Sequence, residues 1–298
     1  MSRFRSVFAL SVALVLVACG RDQSPEQPAA ATASSPVESV RVLHEALRRN
    51  DLRGMLEAML PPAEVAEMRE RWERKRGELL QVSEEGRAQF AATMGMLTQP
   101  GAADAIMATL EPQLAELDQQ MAQMPMAIMM GSGFIIASLE QAENLSAEQK
   151  QQARQAVEAL AQWAMKTPFN DRARIRKAVE ALVAAAGQLG LARLEDLERL
   201  SFDELLVKGG IVLAGLRNAL AAFDFPLDQA LDSFKVELVS EQGDEATVRS
   251  SYSLFGVPFT TEVALVRRDG RWYGRELLAQ LAQAKEQARQ AAEPQSAE

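Results

Sequence analysis

Three kinds of residue in this chain of 298 offer chemistry beyond packing and surface charge: one cysteine, one histidine and thirteen methionines. The histidine, His44, follows Leu43 in a helical pattern, and the chain contains no second histidine to complete a usual zinc or copper(II) site. A lone histidine without a neighbouring nucleophile also argues against Ser-His and Cys-His dyads. We therefore predict that His44 is a partly exposed helix residue, and that the chain is not an enzyme and holds no cofactor.

Five methionines gather in one short stretch, and thioethers are the ligands that copper(I) prefers. Methionine is equally a flexible core filler, and the helical spacing of Met126, Met129 and Met130 favours a buried stripe. The chain is uncharged from Gln119 to Leu139, but its apolar part of roughly sixteen residues is shorter than a membrane-spanning helix. We predict a buried central helix, with copper(I) binding as a minor alternative, for the cluster Met121, Met124, Met126, Met129 and Met130.

The cysteine, Cys19, follows a basic start, an apolar run from Val7 to Val17 and the small residue Ala18. This order is that of a secretory signal peptide, and the apolar run is too short to span a bilayer. Leu16-Val17-Ala18-Cys19 also resembles the lipobox of bacterial lipoproteins. The resemblance implies that residues 1–18 are removed and that Cys19 is the site of lipid attachment. The alternative is an ordinary signal peptide in which Cys19 has no role.

The residues after Cys19 bear on where the protein would lie. In the lipoproteins that the chain resembles, a glycine such as Gly20 in the position after the cysteine favours the outer membrane of bacteria with two membranes. Residues 19–36 are rich in Pro, Ala, Ser and Gln, which is typical of a flexible tether spanning roughly 20–25 Å. The sequence therefore predicts a lipid-anchored protein on the periplasmic face, standing just off the membrane.

The composition narrows the classes of partner. Removal of residues 1–18 leaves 30 basic against 41 acidic residues, a net charge of −11. A chain this acidic lacks the basic surface of a nucleic-acid-binding protein. With its only cysteine bound to lipid the protein forms no internal disulfide, so we expect it to depend on its hydrophobic core for stability.

Helical signals dominate the chain from its first capped helix to about residue 225. Ser35 caps a helix that has Pro36 at its first position and Glu38 at its third, and residues 37–60 read as a helical hairpin. Capping boxes at Ser146 and Ser201 start further helices within the helical region of residues 37–225. The basic cluster at residues 69–76 is interpreted as a solvated helix face. The cluster at residues 172–177 is less neutralised by nearby acidic residues, and contact with an anionic partner is its alternative to a solvated face.

The period of the apolar pattern changes from 3.6 to 2 at Phe234. Turn signals at Gly243-Asp244, Gly256 and Asp269-Gly270 divide residues 234–275 into four strands. The sequence therefore predicts an α+β fold. A helical body of about seven to nine helices precedes a small α+β region, residues 226–293, which contains a four-stranded antiparallel meander and a closing helix.

A helical hairpin at one end and a meander ending in RDGRWYGRELL at the other is similar to the nuclear-transport-factor-two-like (cone) fold, including small bacterial lipoproteins. That resemblance implies that the hairpin packs on the sheet and that a pocket at its mouth is lined by Tyr252, Phe259 and Trp272. A separate helical domain followed by a small α+β domain is the alternative. We expect a non-catalytic lipoprotein that acts by protein contact; a ligand-binding or enzymatic cone-like domain is the second hypothesis.

Overall fold

A computed structural model describes residues 35–79, 81–143 and 145–292. The predicted signal peptide, Cys19 and nearly all of the tether lie outside the described residues. The described residues form twelve helices and one four-stranded antiparallel sheet near the C-terminal end. The predicted α+β fold, with its meander and closing helix, is therefore confirmed.

Most of the helices before the sheet are long, with six consecutive helices of 15 to 20 residues between Pro62 and Leu189. Two helices of only six residues, Leu194–Arg199 and Leu227–Asp232, raise the number of helices before the sheet to eleven in the described part. The helices are α1 (Pro36–Arg48), α2 (Leu52–Met59), α3 (Pro62–Leu79), α4 (Glu84–Thr98), α5 (Ala102–Gln120), α6 (Met124–Glu140), α7 (Ala147–Lys166), α8 (Arg172–Leu189), α9 (Leu194–Arg199), α10 (Phe202–Ala221), α11 (Leu227–Asp232) and α12 (Arg275–Ala292). The strands are β1 (Lys235–Gln242), β2 (Glu245–Leu254), β3 (Val257–Arg268) and β4 (Arg271–Gly274).

The sheet has the strand order β1-β2-β3-β4, each strand antiparallel to the next. Its inner face is the alternating set predicted from the sequence, since Ala246 pairs with Leu265 and Tyr252 pairs with Phe259. The β3–β4 turn, Asp269-Gly270, has φ values of 51° and 76°. Positive φ at both central residues is the geometry of a two-residue hairpin turn that follows the twist of the strands.

Helix α1 covers the inner face of this sheet. The Ser35 hydroxyl accepts a hydrogen bond from the Glu38 amide at 3.2 Å, which starts the helix where the sequence predicts. Val37 and Val40 then pack against a buried cluster that includes Val248 and Trp272. The N-terminal hairpin and the C-terminal sheet thus share one hydrophobic core, although 175 residues, 60–234, separate them in sequence.

Helix α10 connects this core to the helical body. On one side, a Cβ built on Gly210 would lie 2.5 Å from the backbone oxygen of Asn50, in the turn after α1. On the other side, a Cβ built on Gly215 would lie 2.5 Å from the Cβ of Ala185 in α8. Both glycines are required because the neighbouring chain segments approach α10 too closely for a side chain.

Candidate interaction surface

The predicted pocket residues Tyr252 and Phe259 lie side by side at one end of the sheet. They face each other across β2 and β3, and their rings stack with centroids 5.4 Å apart. Phe259 is buried, and burial also raises the pKa of the Tyr252 hydroxyl above its ordinary value. This pair is a cross-strand aromatic contact of the kind that stabilises sheets.

The third predicted pocket residue, Trp272, lies at the opposite end of the sheet. It pairs with Arg267, which follows Phe259 by eight residues along β3, a separation of about 26 Å at 3.3 Å per residue. Its side chain is only 2% exposed, and the Arg267 guanidinium lies 5.5 Å from the ring centroid. The three aromatic side chains therefore do not surround a common cavity, and their placement gives no support to a ligand-binding mouth.

An open depression of about 480 Å³ lies between α8 and α10 and is lined by charged residues. The basic cluster predicted at residues 172–177 forms part of it, and its arginines are neutralised by carboxylates distant in sequence. Arg174 pairs with Asp224 at 2.5 Å, and Arg172 pairs with Glu111 at 3.0 Å and with Asp118 at 2.8 Å. The hydrogen bond from Arg172 is the main cause that lowers the pKa of Asp118. These arginines hold helices together.

His44 has a structural position between α1 and α11. Its Nε2 lies 2.9 Å from the backbone oxygen of Leu231, and its ring stacks on Phe234 with centroids 4.2 Å apart. Burial is the largest effect on the imidazole and lowers its pKa below 6.5. Among the described residues, no group of three or more His, Cys, Asp or Glu side chains converges as a metal site would require.

The methionine-rich stretch forms α6, and the prediction that this helix is buried is wrong. Met126, Met129 and Met130 are 66%, 61% and 71% exposed, and Phe134 is 76% exposed. The reason is that α6 packs chiefly against α7, which covers only the side carrying residues such as Leu139. The opposite side of the helix carries the same apolar residue types but is left open to solvent.

We call the exposed side chains Met126, Met129, Met130 and Phe134 the methionine face. Met126, Met130 and Phe134 follow one another at four-residue intervals, so they form a row along the helix. The neighbouring rows carry Met129 and Ile135 together with small residues, and a Cβ built on Gly131 or Gly133 meets no atom within 4 Å. The methionine face extends about 12 Å along the helix from Met126 to Phe134, and it lies within the stretch from Gln119 to Leu139 that carries no charge.

Covering the methionine face with a partner would be energetically favourable. Each of its large side chains would gain roughly 1.5–3 kcal/mol if a partner covered it fully. Contiguous exposed apolar patches mark contact sites, and methionine is common at adaptable protein-binding surfaces. The methionine face is therefore the candidate functional site of the described residues.

The same stretch bears on membrane contact. Among the described residues no single helix is long and apolar enough to cross a membrane. Helices α5 and α6 together meet the length and composition of a span, but they are bent by 79° at the break between them.

The sequence marks the methionine-rich stretch as unusual but does not indicate that it is exposed, because apolar residues have the same helical spacing on a buried helix and on an exposed one. The absence of charge over 21 residues, in a chain that is otherwise acidic, is the signal that could have indicated a contact surface.

No protein-family model, curated protein or solved structure matches this chain.

Proposed function

We propose that this chain is a membrane-anchored periplasmic lipoprotein, held by lipid on Cys19 and acting without catalysis through protein contact. The observation that carries the contact role is the methionine face, four large apolar side chains exposed side by side on a helix without charge. The lipobox resemblance at Leu16-Val17-Ala18-Cys19 supports the anchor. Gly20 supports an outer-membrane location.

A protein partner suits the methionine face better than a lipid surface does. Helices that lie in the membrane interface typically carry Lys and Arg on one side and Trp, Phe or Leu on the other. The stretch from Gln119 to Leu139 contains no Lys, Arg or Trp, and the acidic residues Asp118 and Glu140 flank it. The centres of protein interfaces, in contrast, are depleted in charge and enriched in methionine and aromatic residues.

The anchor is tested by labelling cells with a fatty acid and comparing the natural chain with Cys19→Ser. We expect label and membrane association in the natural chain and neither in the variant. Separation of the inner and outer membranes by density then tests the outer-membrane location that Gly20 supports. Label in the Cys19→Ser variant, or cleavage at another position, would contradict the anchor.

The contact role is tested by a photo-reactive phenylalanine analogue placed at Phe134 in growing cells. The matched control is the same group at Val207, which is 60% exposed on α10 and lies outside the methionine face. We expect cross-linked protein adducts from position 134 and few from position 207. Equal adducts at both positions, or lipid adducts alone at position 134, would contradict a protein-contact surface.

Copper(I) binding is a second candidate, favoured by the exposure of three neighbouring thioethers on one helix. Leucine at Met126 and Met130 keeps the apolar surface but removes the sulfur ligands. A copper(I) competition titration of the natural chain beside this double leucine variant separates the two functions. We expect no tight binding by either protein; tight binding that the leucine variant loses would favour the copper role.

A further inference from the structure

We propose that the methionine face is covered by a second copy of this chain, with α6 packed against α6 across a two-fold axis. This inference deepens the proposed function, because it names the partner of the same surface. It does not depend on the lipid anchor, since pairing and lipidation are measured separately.

The charge pattern favours a second copy. The chain carries a net charge of −9, so two copies repel each other over most of their surfaces. The stretch from Gln119 to Leu139 is the longest uncharged part of the described chain, and the methionine face lies at its middle. A two-fold contact places the same surface patch of both copies together, so residues near the axis meet their own counterparts, which an uncharged patch tolerates and a patch of one charge sign does not.

The shape of α6 also matches its own copy. The row Met126, Met130 and Phe134 forms a ridge. The two neighbouring four-residue rows combine small residues with one exposed large residue each, Met129 on one side and Ile135 on the other, so each groove is open over only part of its length. Ridges and grooves of the four-residue type fit into one another when two identical helices cross at about −50°. The residues that form the grooves are exposed along the helix: Ala127, Gly131, Gly133 and Ala137.

The size of the contact indicates a weak dimer. Helix α6 has 17 residues, and one helix pair of this length buries less than the roughly 1,200 Å² of a standard stable interface. A lipid anchor would confine the copies to one membrane and raise their effective concentration. We therefore expect pairing that is clear in the membrane and that falls off on dilution.

The test uses two differently tagged full-length copies made in the same cells and measures their recovery together after mild solubilisation. Met130 lies nearest the middle of the methionine face, so Met130→Glu in both copies places like charges together, as does Met130→Lys in both. We expect each of these to lower joint recovery at least tenfold. One Glu copy with one Lys copy restores it, because opposite charges then meet across the axis.

The control is Val207→Glu in both copies, which adds the same charge at an exposed apolar position outside the methionine face and leaves joint recovery unchanged. Since Met130 and Val207 are both exposed, the variants keep the melting temperature of the natural chain. Failure of the Glu and Lys copies to restore recovery would overturn the proposal, as would binding of the natural chain to lipid vesicles as a monomer. Fatty-acid labelling of Cys19 is recorded in the same cells, so loss of the anchor and loss of pairing are told apart.

Discussion

The inner face of the sheet and the outer face of α6 are both apolar surfaces, yet only the first is covered within the chain. Val248 and Trp272 on the sheet are 0% and 2% exposed, whereas Met130 and Phe134 on α6 are 71% and 76% exposed. The sheet is covered because α1 brings Val37 and Val40 onto it. Helix α6 packs against α7 on one side and faces solvent on the other. An apolar pattern in the sequence therefore predicts an apolar surface, but it does not predict which other element of the chain, if any, buries that surface.

Removal of an aromatic side chain should change the free energy of unfolding much more in the sheet than in α6, and this is the largest difference that we expect between the two regions. Trp272→Ala removes a buried ring and should lower the free energy of unfolding by about 3–5 kcal/mol. Phe134→Ala removes an exposed ring and should change it by less than about 0.5 kcal/mol. Urea unfolding of both variants measures the difference. A comparable loss in the two proteins would show that α6 is buried after all.

Substitution of glycine by alanine compares a tightly packed backbone position with an open one. Gly210→Ala forces a Cβ against the Asn50 carbonyl and should destabilise the fold by about 1–3 kcal/mol. Gly133→Ala on α6 meets no atom within 4 Å and should stabilise the fold by about 0.5–1 kcal/mol, because alanine favours helix. Thermal melts would check both values, and the same sign of change in the two variants would contradict the described packing.

Acid should weaken the sheet side of the molecule through His44. Burial lowers the pKa of this imidazole below 6.5, while Glu45 and Asp232 raise it and Arg48 lowers it. Well above pH 6.5 the imidazole is neutral in both folded and unfolded chains. As the pH falls from 6.5 through the lowered folded pKa, the unfolded chain binds the proton first, so stability is lost.

The measurement is the unfolding midpoint in urea at pH 7.5 and at pH 5.0. His44→Gln retains a donor for the Leu231 carbonyl but does not titrate, so its midpoint should change less over this interval. An equal change in the natural chain and the variant would assign the pH dependence to other groups.

Methionines give the closest chemical match between a buried and an exposed position. Met126→Ala on the methionine face should change the free energy of unfolding by less than about 0.5 kcal/mol. Met107→Ala in α5, where the side chain is buried, should lower it by about 2–5 kcal/mol. A large loss for Met126→Ala would restore the original prediction of a buried stripe.

Local signals in the sequence were read correctly because they act over a few residues. At the start of α7, the Gln149 amide donates to the Ser146 hydroxyl at 3.1 Å, and the Ser146 amide donates to the Gln149 side chain at 2.8 Å. The same capping box forms at Ser201 and Glu204. The registers of β2 with β3 and of β3 with β4 also follow from alternation and two-residue turns, whereas the register of β1 with β2 shifts between Leu238 and Ser240, which alternation alone does not indicate.

Features that depend on distant residues were not predictable in this way. Arg172 is neutralised by Glu111, which lies 61 residues earlier. The residues near Arg172 in the sequence do not indicate that Glu111 is its partner. The exposure of Met130 likewise depends on where α7 lies, and the periodicity of α6 is the same whichever side α7 covers. Tyr252 and Phe259 lie together at one end of the sheet, but most of the length of β3 separates them from Trp272.

The central claim is that the methionine face is open in the isolated protein and covered where the protein acts. Methionine oxidation measures this directly, since exposed thioethers form sulfoxides fastest. We predict rapid oxidation of Met126 and Met130 in dilute purified protein and clear protection of both in intact cell envelopes. Met165, which is 40% exposed on α7, should oxidise at similar rates in both samples. Equal oxidation of Met126 and Met130 in protein and envelopes would contradict a covered contact surface.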